Sequence, residues 1–206
     1  MNIDLDQTVE LFSGEKAFSL IAGSLGFRTF TVDKDPATSP NLVSDIRLVS
    51  PDQVPQGPHL IWATPPGRAL TSPDAWLDDD EPATKEVREA MEVLMAAGSL
   101  MAATKPMWWF LETPARLPRQ RPLLAGFNRG YPNRIRHTIS HEQYGGGAGR
   151  YSDIWTNAYW WSPTEIVSEL AIPSSADSAR VPPYVFVEIF EHLDNYRREQ
   201  SELTAT

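Results

Sequence analysis

An apolar run that ends in two consecutive prolines constrains this chain more than any other feature. Leu60, Ile61, Trp62 and Ala63 read as a buried strand, and Thr64-Pro65-Pro66-Gly67 stops it at once. Neither proline has an N–H to give to a neighbouring strand, so the ladder cannot run on through them. A strand that ends in a rigid turn is a common place to present reactive groups. A cysteine after the prolines would read as a nucleophile, and a large aromatic as a platform for a base. Gly67 can be neither.

The flanking sequence supplies a sheet for that strand. Residues 8–12 (TVELF) read as a short buried strand, and a helix follows with Ala17, Leu20, Ile21 and Leu25 on its apolar side and Gly26 as its stop. RTFTVD is a second strand, NLVSDIR (41–47) a short third, GPHLIWA the fourth and PMWWFLE the fifth. Between the last two lies the strongest helix, ATKEVREAMEVLMAAGSLMAA, with Val87, Met91, Leu94, Met95 and Leu100 as its core positions. This alternation predicts an α/β fold, a mostly parallel sheet with helices on its faces. RIRHTISHEQYG is a further strand, YGGGAG a flexible loop, SPTEIVSEL a short capped helix and PPYVFVEIFEHLDNYRREQ a C-terminal helix opened by its prolines. Residues 72–82 are expected to form a mobile loop and the tail at 200–206 to fray. The 206 residues suit one domain with a full-sized core, without a second domain.

Composition excludes several function classes. The hydrophobic share of 41% is ordinary for a globular protein, and no stretch approaches the roughly 18–20 apolar residues of a membrane span. The acidic start MNIDLDQTVELF lacks the pattern of a secretory signal, so the cytoplasm is the expected location. The absence of cysteine excludes disulfides, cysteine-ligated zinc and thiolate catalysis. His137 and His141 are four apart but lie in a β-branched, strand-like stretch, so no metal site is expected.

The net charge of −9 argues against general affinity for nucleic acid, yet the charges segregate. Residues 72–92 carry eight acids and two bases, and residues 105–150 carry eight bases and two acids. Ordinary surface salt bridges account for this pattern. A basic strip for phosphates, partly guarded by an acidic loop, accounts for it equally.

In an α/β sheet, ligands sit beyond the C-terminal ends of the strands. Unusual residues follow each strand here: Phe12-Ser13-Gly14, Asp33, Asp45, the TPPG turn and Glu112. A glycine after the first strand lets backbone approach a ligand, and the helix N-terminus beyond it favours anionic groups. A carboxylate after the second suits a ribose diol. One after the third can accept from an adenine amine.

Taken in order, these stretches resemble the DNA cytosine-C5 methyltransferases, especially their short bacteriophage forms. ELFSGEKAFSLIAGSLGFRTFTVDKDP is similar to that family's opening, SDI to its Gly-Asp-Ile segment, ATPPG to its Pro-Pro-Cys motif and WWFLETPARL to its Glu-Asn-Pro or Glu-Asn-Val motif. RIRHTISHEQYGGGAGRYSDIWTN is similar to the basic strand and closing Thr-Asp-Ile-Trp-Thr-Asn of the phage members, and RVPPYVFVEIFEHL to the last helix. The likeness runs from Val9 to about Leu193, without a separate target recognition domain. It implies a Rossmann-like S-adenosylmethionine-dependent methyltransferase fold. It also implies that Phe12, Ser13 and Gly14 line the methionine, Asp33 holds the ribose, Asp45 and Ile46 meet the adenine, and Pro65 and Pro66 wall the site. Glu112 would stand near the ring nitrogen of a flipped cytosine. Arg134 and Arg136, with Arg116 and Arg119, would approach DNA.

The departures are as informative. Gly67 stands where the family has its thiolate, and Thr113 replaces the amide beside the glutamate. Glu15 and Lys16 replace small residues in the first loop, where they are expected to crowd the methionine and repel a sulfonium. Trp62, Trp108 and Trp109 are expected in the core rather than stacked on a base. Several readings therefore stay open: a divergent protein without ordinary C5 methylation that works by binding DNA, cofactor or a protein partner, with a phage role in modification or anti-restriction; an enzyme that methylates an exocyclic amine without a thiolate; another base-modifying enzyme on the same fold; and an acidic interaction module.

Overall fold

A computed structural model describes residues 4–71, 84–115, 134–164 and 181–204. Its centre is a seven-stranded sheet in the order β3-β2-β1-β4-β5-β7-β6. The strands are β1 (Asp4–Leu11), β2 (Arg28–Asp33), β3 (Leu42–Val43), β4 (Pro58–Ala63), β5 (Trp108–Pro114), β6 (Ile135–Ser140) and β7 (Tyr151–Thr156). The first five run parallel, and β7 is antiparallel to both β5 and β6. Because β2 and β4 flank β1, the strand order reverses there, and a crevice opens beyond the paired ends Leu11 and Ala63.

All six residues of β4 are buried, as a central strand covered on both faces requires. Ile61 and Ala63 face the helix α2 (Lys85–Thr104), while Leu60 and Trp62 face α1 (Ala17–Ser24) and α3 (Pro183–Thr204). Thr84 caps α2 by accepting from the N–H of Val87 at 3.3 Å. Trp62, Trp108 and Trp109 are all buried, as expected. On the α3 side, Glu188 accepts from the Tyr144 hydroxyl at 2.8 Å and the Thr164 N–H at 2.8 Å, which ties α3 to the chain around β6 and β7.

Several expectations need correction. The buried residues of α1 are Phe18, Ser19 and Ala22, whereas Leu20 and Leu25 are 67% and 56% exposed. Phe18 packs against Trp62, Phe186 and Phe190, so the helix turns its Phe18 and Ala22 side inward. In α2, Met95 is exposed, and Ala90, Ala97 and Met101 fill the core positions beside Val87, Leu94 and Leu100. The third strand is only two residues long, because Asp45 caps a one-turn 3-10 helix straight after it. YSDIWT, given no strand of its own from sequence, is β7, and it completes the sheet between β5 and β6. The tail expected to fray continues α3 through Thr204. The 72–82 loop and the SPTEIVSEL helix lie outside the described residues, apart from Ser162, Pro163 and Thr164. No helix among the described residues is long and apolar enough to cross a membrane.

Candidate active site

A cleft of about 1240 Å³ opens over the strand ends at the reversal point. Phe12, Asp33, Asp45 and Ile46 line one half. Pro65, Pro66, Gly67, Glu112 and Pro114 line the other, which continues to His141, Arg150 and Ser152. The sheet thus brings together residues from the five successive strand ends that the sequence singled out.

The half beyond β1–β3 is built from backbone contacts. Asp33 accepts from the N–H groups of Gly14 at 2.8 Å and Asp35 at 2.9 Å. Each of its oxygens keeps a lone pair, so a ribose diol fits there. Ser13 and Gly14 stand behind this wall rather than in it; Ser13 is buried and Gly14 takes φ 45°. The Lys16 ammonium donates to the Ser39 carbonyl at 2.6 Å, and neither Glu15 nor Lys16 lines the cleft, contrary to the expected crowding. The N-terminus of α1 is also not left for a ligand anion. The Glu10 carboxylate accepts from the N–H of Ser19 in its first turn at 2.9 Å, and burial pushes Glu10 above the ordinary carboxylate range. Asp45 is taken as well. Its oxygens accept from Arg47 Nε at 3.0 Å and from the terminal guanidinium nitrogen at 2.7 Å, and these bonds hold it down to about 2. An adenine amine finds that acceptor already shared.

The other half is steric and acidic. A β-carbon built on Gly67 would lie 2.5 Å from Cδ and 2.8 Å from Cγ of Pro114. Real β-carbons do not come that close to a rigid ring, so the position of the missing nucleophile is also a position without room for a side chain. Thr113 turns to the opposite face, where its hydroxyl accepts from Trp155 Nε1 at 3.1 Å. Glu112 is buried at the cleft wall, and that desolvation raises it to about 7 against the opposing hydrogen bond from Ser152. Ser152 Oγ donates to Glu112 Oε1 at 2.5 Å and lies 2.7 Å from His141 Nε2. Burial, then the charge of Arg150, lowers His141 to about 4, so its imidazole is neutral near neutral pH. Sequence reading missed Ser152, His141 and Pro114. Only their position around the glycine-rich 145–149 loop and the Glu112 turn could have pointed to them.

Arg134 and Arg136 do not line the cleft. The Arg136 guanidinium sits over the Trp155 ring at 5.4 Å and 3.9 Å from the Asp153 carboxylate, on the α2 side of the sheet. Arg116 and Arg119 lie outside the described residues. His137 packs its ring edge-on against Trp161, whereas His141 bonds Ser152. Among the described residues no group of three or more His, Asp or Glu side chains is placed to hold a metal ion.

No protein-family model matches the sequence, and no curated protein sequence does. Solved structures do match in fold. A candidate DNA modification methyltransferase encoded within a prophage (E. coli) superposes with a TM-score of 0.52 at 16% identity, over 73% of this chain and 45% of its own. A Spodoptera frugiperda DNMT2 variant gives 0.45 at 18% identity over 83% and 56%, and the S. pombe Dnmt2 methyltransferase 0.47 at 12% over 73% and 48%. What is shared with the prophage-encoded structure is the Rossmann-like fold, a mostly parallel sheet with helices on its faces. The chain spans about half the length of these three structures. Likeness at this level of identity concerns the fold alone.

Proposed function

We propose that the chain is a divergent DNA methyltransferase-like protein that has given up thiolate-assisted C5 methylation but keeps a cleft for an S-adenosylmethionine-type nucleoside and a base. The packing of Gly67 against Pro114 carries this reading, because the nucleophile's place holds neither a thiol nor space for one. C5 of cytosine is a poor nucleophile until a thiolate adds to C6. Without that addition, transfer to C5 slows by many orders of magnitude. In this reading Phe12, Asp33, Asp45, Ile46 and Pro65 surround the nucleoside, with Ser13 and Gly14 supporting the loop. Pro66, Gly67 and Glu112 face the base. The basic residues Arg116, Arg119, Arg134 and Arg136 approach DNA phosphates. The protein then acts by binding DNA, cofactor or a protein partner, and a phage role in modification or anti-restriction fits.

Calorimetry with S-adenosylmethionine and S-adenosylhomocysteine tests the nucleoside half. The expected result is binding at micromolar ligand, with no transfer of a labelled methyl group to cytosine C5 in DNA. Brisk C5 methylation would end the proposal. No binding at millimolar ligand would remove the nucleoside and leave DNA or a protein as the ligand.

A second reading is methyl transfer to an exocyclic amine, which has its own lone pair and needs no thiolate. Thr64 favours it. It lines the cleft ahead of the prolines, with its hydroxyl fixed by the Trp62 indole N–H at 2.7 Å. The same labelled assay, resolved for amine-methylated adenine and cytosine, separates the two.

A further inference from the structure

The buried chain behind Glu112 is the part of the cleft that the family resemblance does not account for. Glu112, Ser152 and His141 come from three places: the end of β5, the start of β7 and the residue after β6. All three are buried, with exposures of 7%, 2% and 5%, and all three line the cleft. Ser152 pairs across the antiparallel ladder with Pro114, two residues beyond Glu112 on the same face of β5, so the register itself aims the hydroxyl at the carboxyl group. His141 reaches the same hydroxyl because its N–H bonds the Arg150 carbonyl at 2.9 Å, closing the loop just before β7. Ser152 is the one hydrogen-bond donor to Glu112 among the described residues, and it holds Oε1 only.

We propose that Ser152 and His141 are positioning residues for Glu112: they fix its Oε1 and leave Oε2 to exchange a proton with a ring nitrogen of a bound base. The proposal rests on the reading above that this half of the cleft takes a base. The direction of the chain follows from Ser152, whose one hydroxyl proton goes to Oε1, so that its oxygen accepts from His141. A neutral His141 with its proton on Nε2 donates to Ser152 Oγ, and the serine hydroxyl donates to Oε1. When Glu112 is protonated, the proton sits on Oε2 and Oε1 is the carbonyl oxygen, so the chain keeps its direction. When Glu112 gives up that proton, the Oε2–H bond breaks and an N–H bond forms on the base. The electron pair stays on the carboxylate, and its charge spreads onto Oε1, where the serine bond strengthens. The chain therefore stabilises the ionised product more than the acid.

Other charges bear on the same carboxyl group. Asp153 beside it on β7 opposes ionisation. Arg150 stands ahead of β7 and Arg68 lies in the turn after β4, both lining the cleft. A change confined to Ser152 or His141 leaves these charged residues in place, so it reads out the hydrogen-bonded chain.

The test is a titration of the Glu112 carboxyl carbon by NMR in the ligand-free protein, with E112Q to assign the signal. Removing the hydroxyl in S152A should raise the midpoint by about one pH unit or more, as expected for loss of a charge-assisted hydrogen bond. H141F should raise it less. H141Q, whose amide N–H can replace Nε2–H, should return it toward the native value. A role in packing alone would leave every midpoint in place, and that result would overturn the proposal. If S152A does not fold, the H141F and H141Q pair decides it, since equal midpoints in both would overturn it too. Binding of 2′-deoxycytidine 5′-monophosphate, followed separately across pH, tests the underlying reading. Shifted midpoints without nucleotide binding at any pH would leave the chain intact as electrostatics but end its role toward a base. Binding whose pH dependence ignores S152A and H141F would spare the function and end the positioning.

Discussion

Asp45 and Glu112 are carboxylates in one cleft, and their surroundings push them in opposite directions. Asp45 sits near solvent after β3. The Arg47 guanidinium, then the Arg47 N–H, hold it down to about 2. Glu112 sits buried in the cleft wall at the end of β5. Desolvation raises it to about 7 even though Ser152 donates to it. The same functional group therefore becomes a fixed charge at one strand end and an exchangeable proton at another. Of these two carboxyl groups, Glu112 is the one that exchanges a proton near neutral pH.

The strongest way to break this comparison is to remove the proton. Glu112 has a folded-state value above its unfolded value of 4.5, so the folded protein binds the extra proton between about pH 4.5 and about 7. Stability contributed by the neutral form is present below that window and is lost as pH rises through it. The loss amounts to as much as about 3 kcal/mol. E112Q cannot ionise. Urea unfolding should show the variant gaining on the native protein by up to that amount between about pH 4 and about pH 8. A difference that does not change with pH would make Glu112 a solvated carboxylate like Asp45.

The second prediction sharpens the steric character of the same end. G67C must place a β-carbon 2.5 Å from Pro114 Cδ, so the turn or the proline has to move. Overpacking of this kind costs about 1–3 kcal/mol. Adding P114A, which removes Cγ and Cδ, should recover most of it, and G67C alone should not restore C5 methylation. A G67C variant as stable as the native protein and brisk in methyl transfer would show that the site had lost only its sulfur.

These two residues also mark how far the sequence could be read. The end of β4 was legible, because two prolines after a wholly apolar run leave one placement. So was the succession of five strands along the chain into a mostly parallel sheet, though not their order within it. The lack of a thiol at Gly67 was legible too, but the lack of space was not. That depends on Pro114, a residue 47 positions away brought alongside by the pairing of β4 with β5. Ser152 was invisible for the same reason: a serine in YSDIWT means nothing until an antiparallel register sets it against β5. The face of α1 failed for a similar reason. Ala17, Phe18, Leu20, Ile21 and Ala22 spread apolar surface round much of the helix, so periodicity could not choose, and the aromatic partners of Phe18 on β4 and α3 chose instead.

The smallest effect lies at the Asp45 end. D45N keeps the side-chain shape and an oxygen to cap the 3-10 turn, and removes only the charge that Arg47 holds. Both side chains are partly solvated, at 29% and 39% exposure, so the pair should contribute within about 1 kcal/mol. The sign is opposite to that of Glu112. Asp45 has a folded value below its unfolded 3.8, so its contribution is present above that pH and is lost as pH falls toward about 2. D45N and the native protein should therefore converge in acid and separate slightly at neutral pH, with the separation shrinking in salt. In the same experiment E112Q should separate only as pH rises toward neutral. A D45N loss of several kcal/mol, insensitive to salt, would mean that the pair is desolvated in solution and that the two ends of the cleft are electrostatically alike.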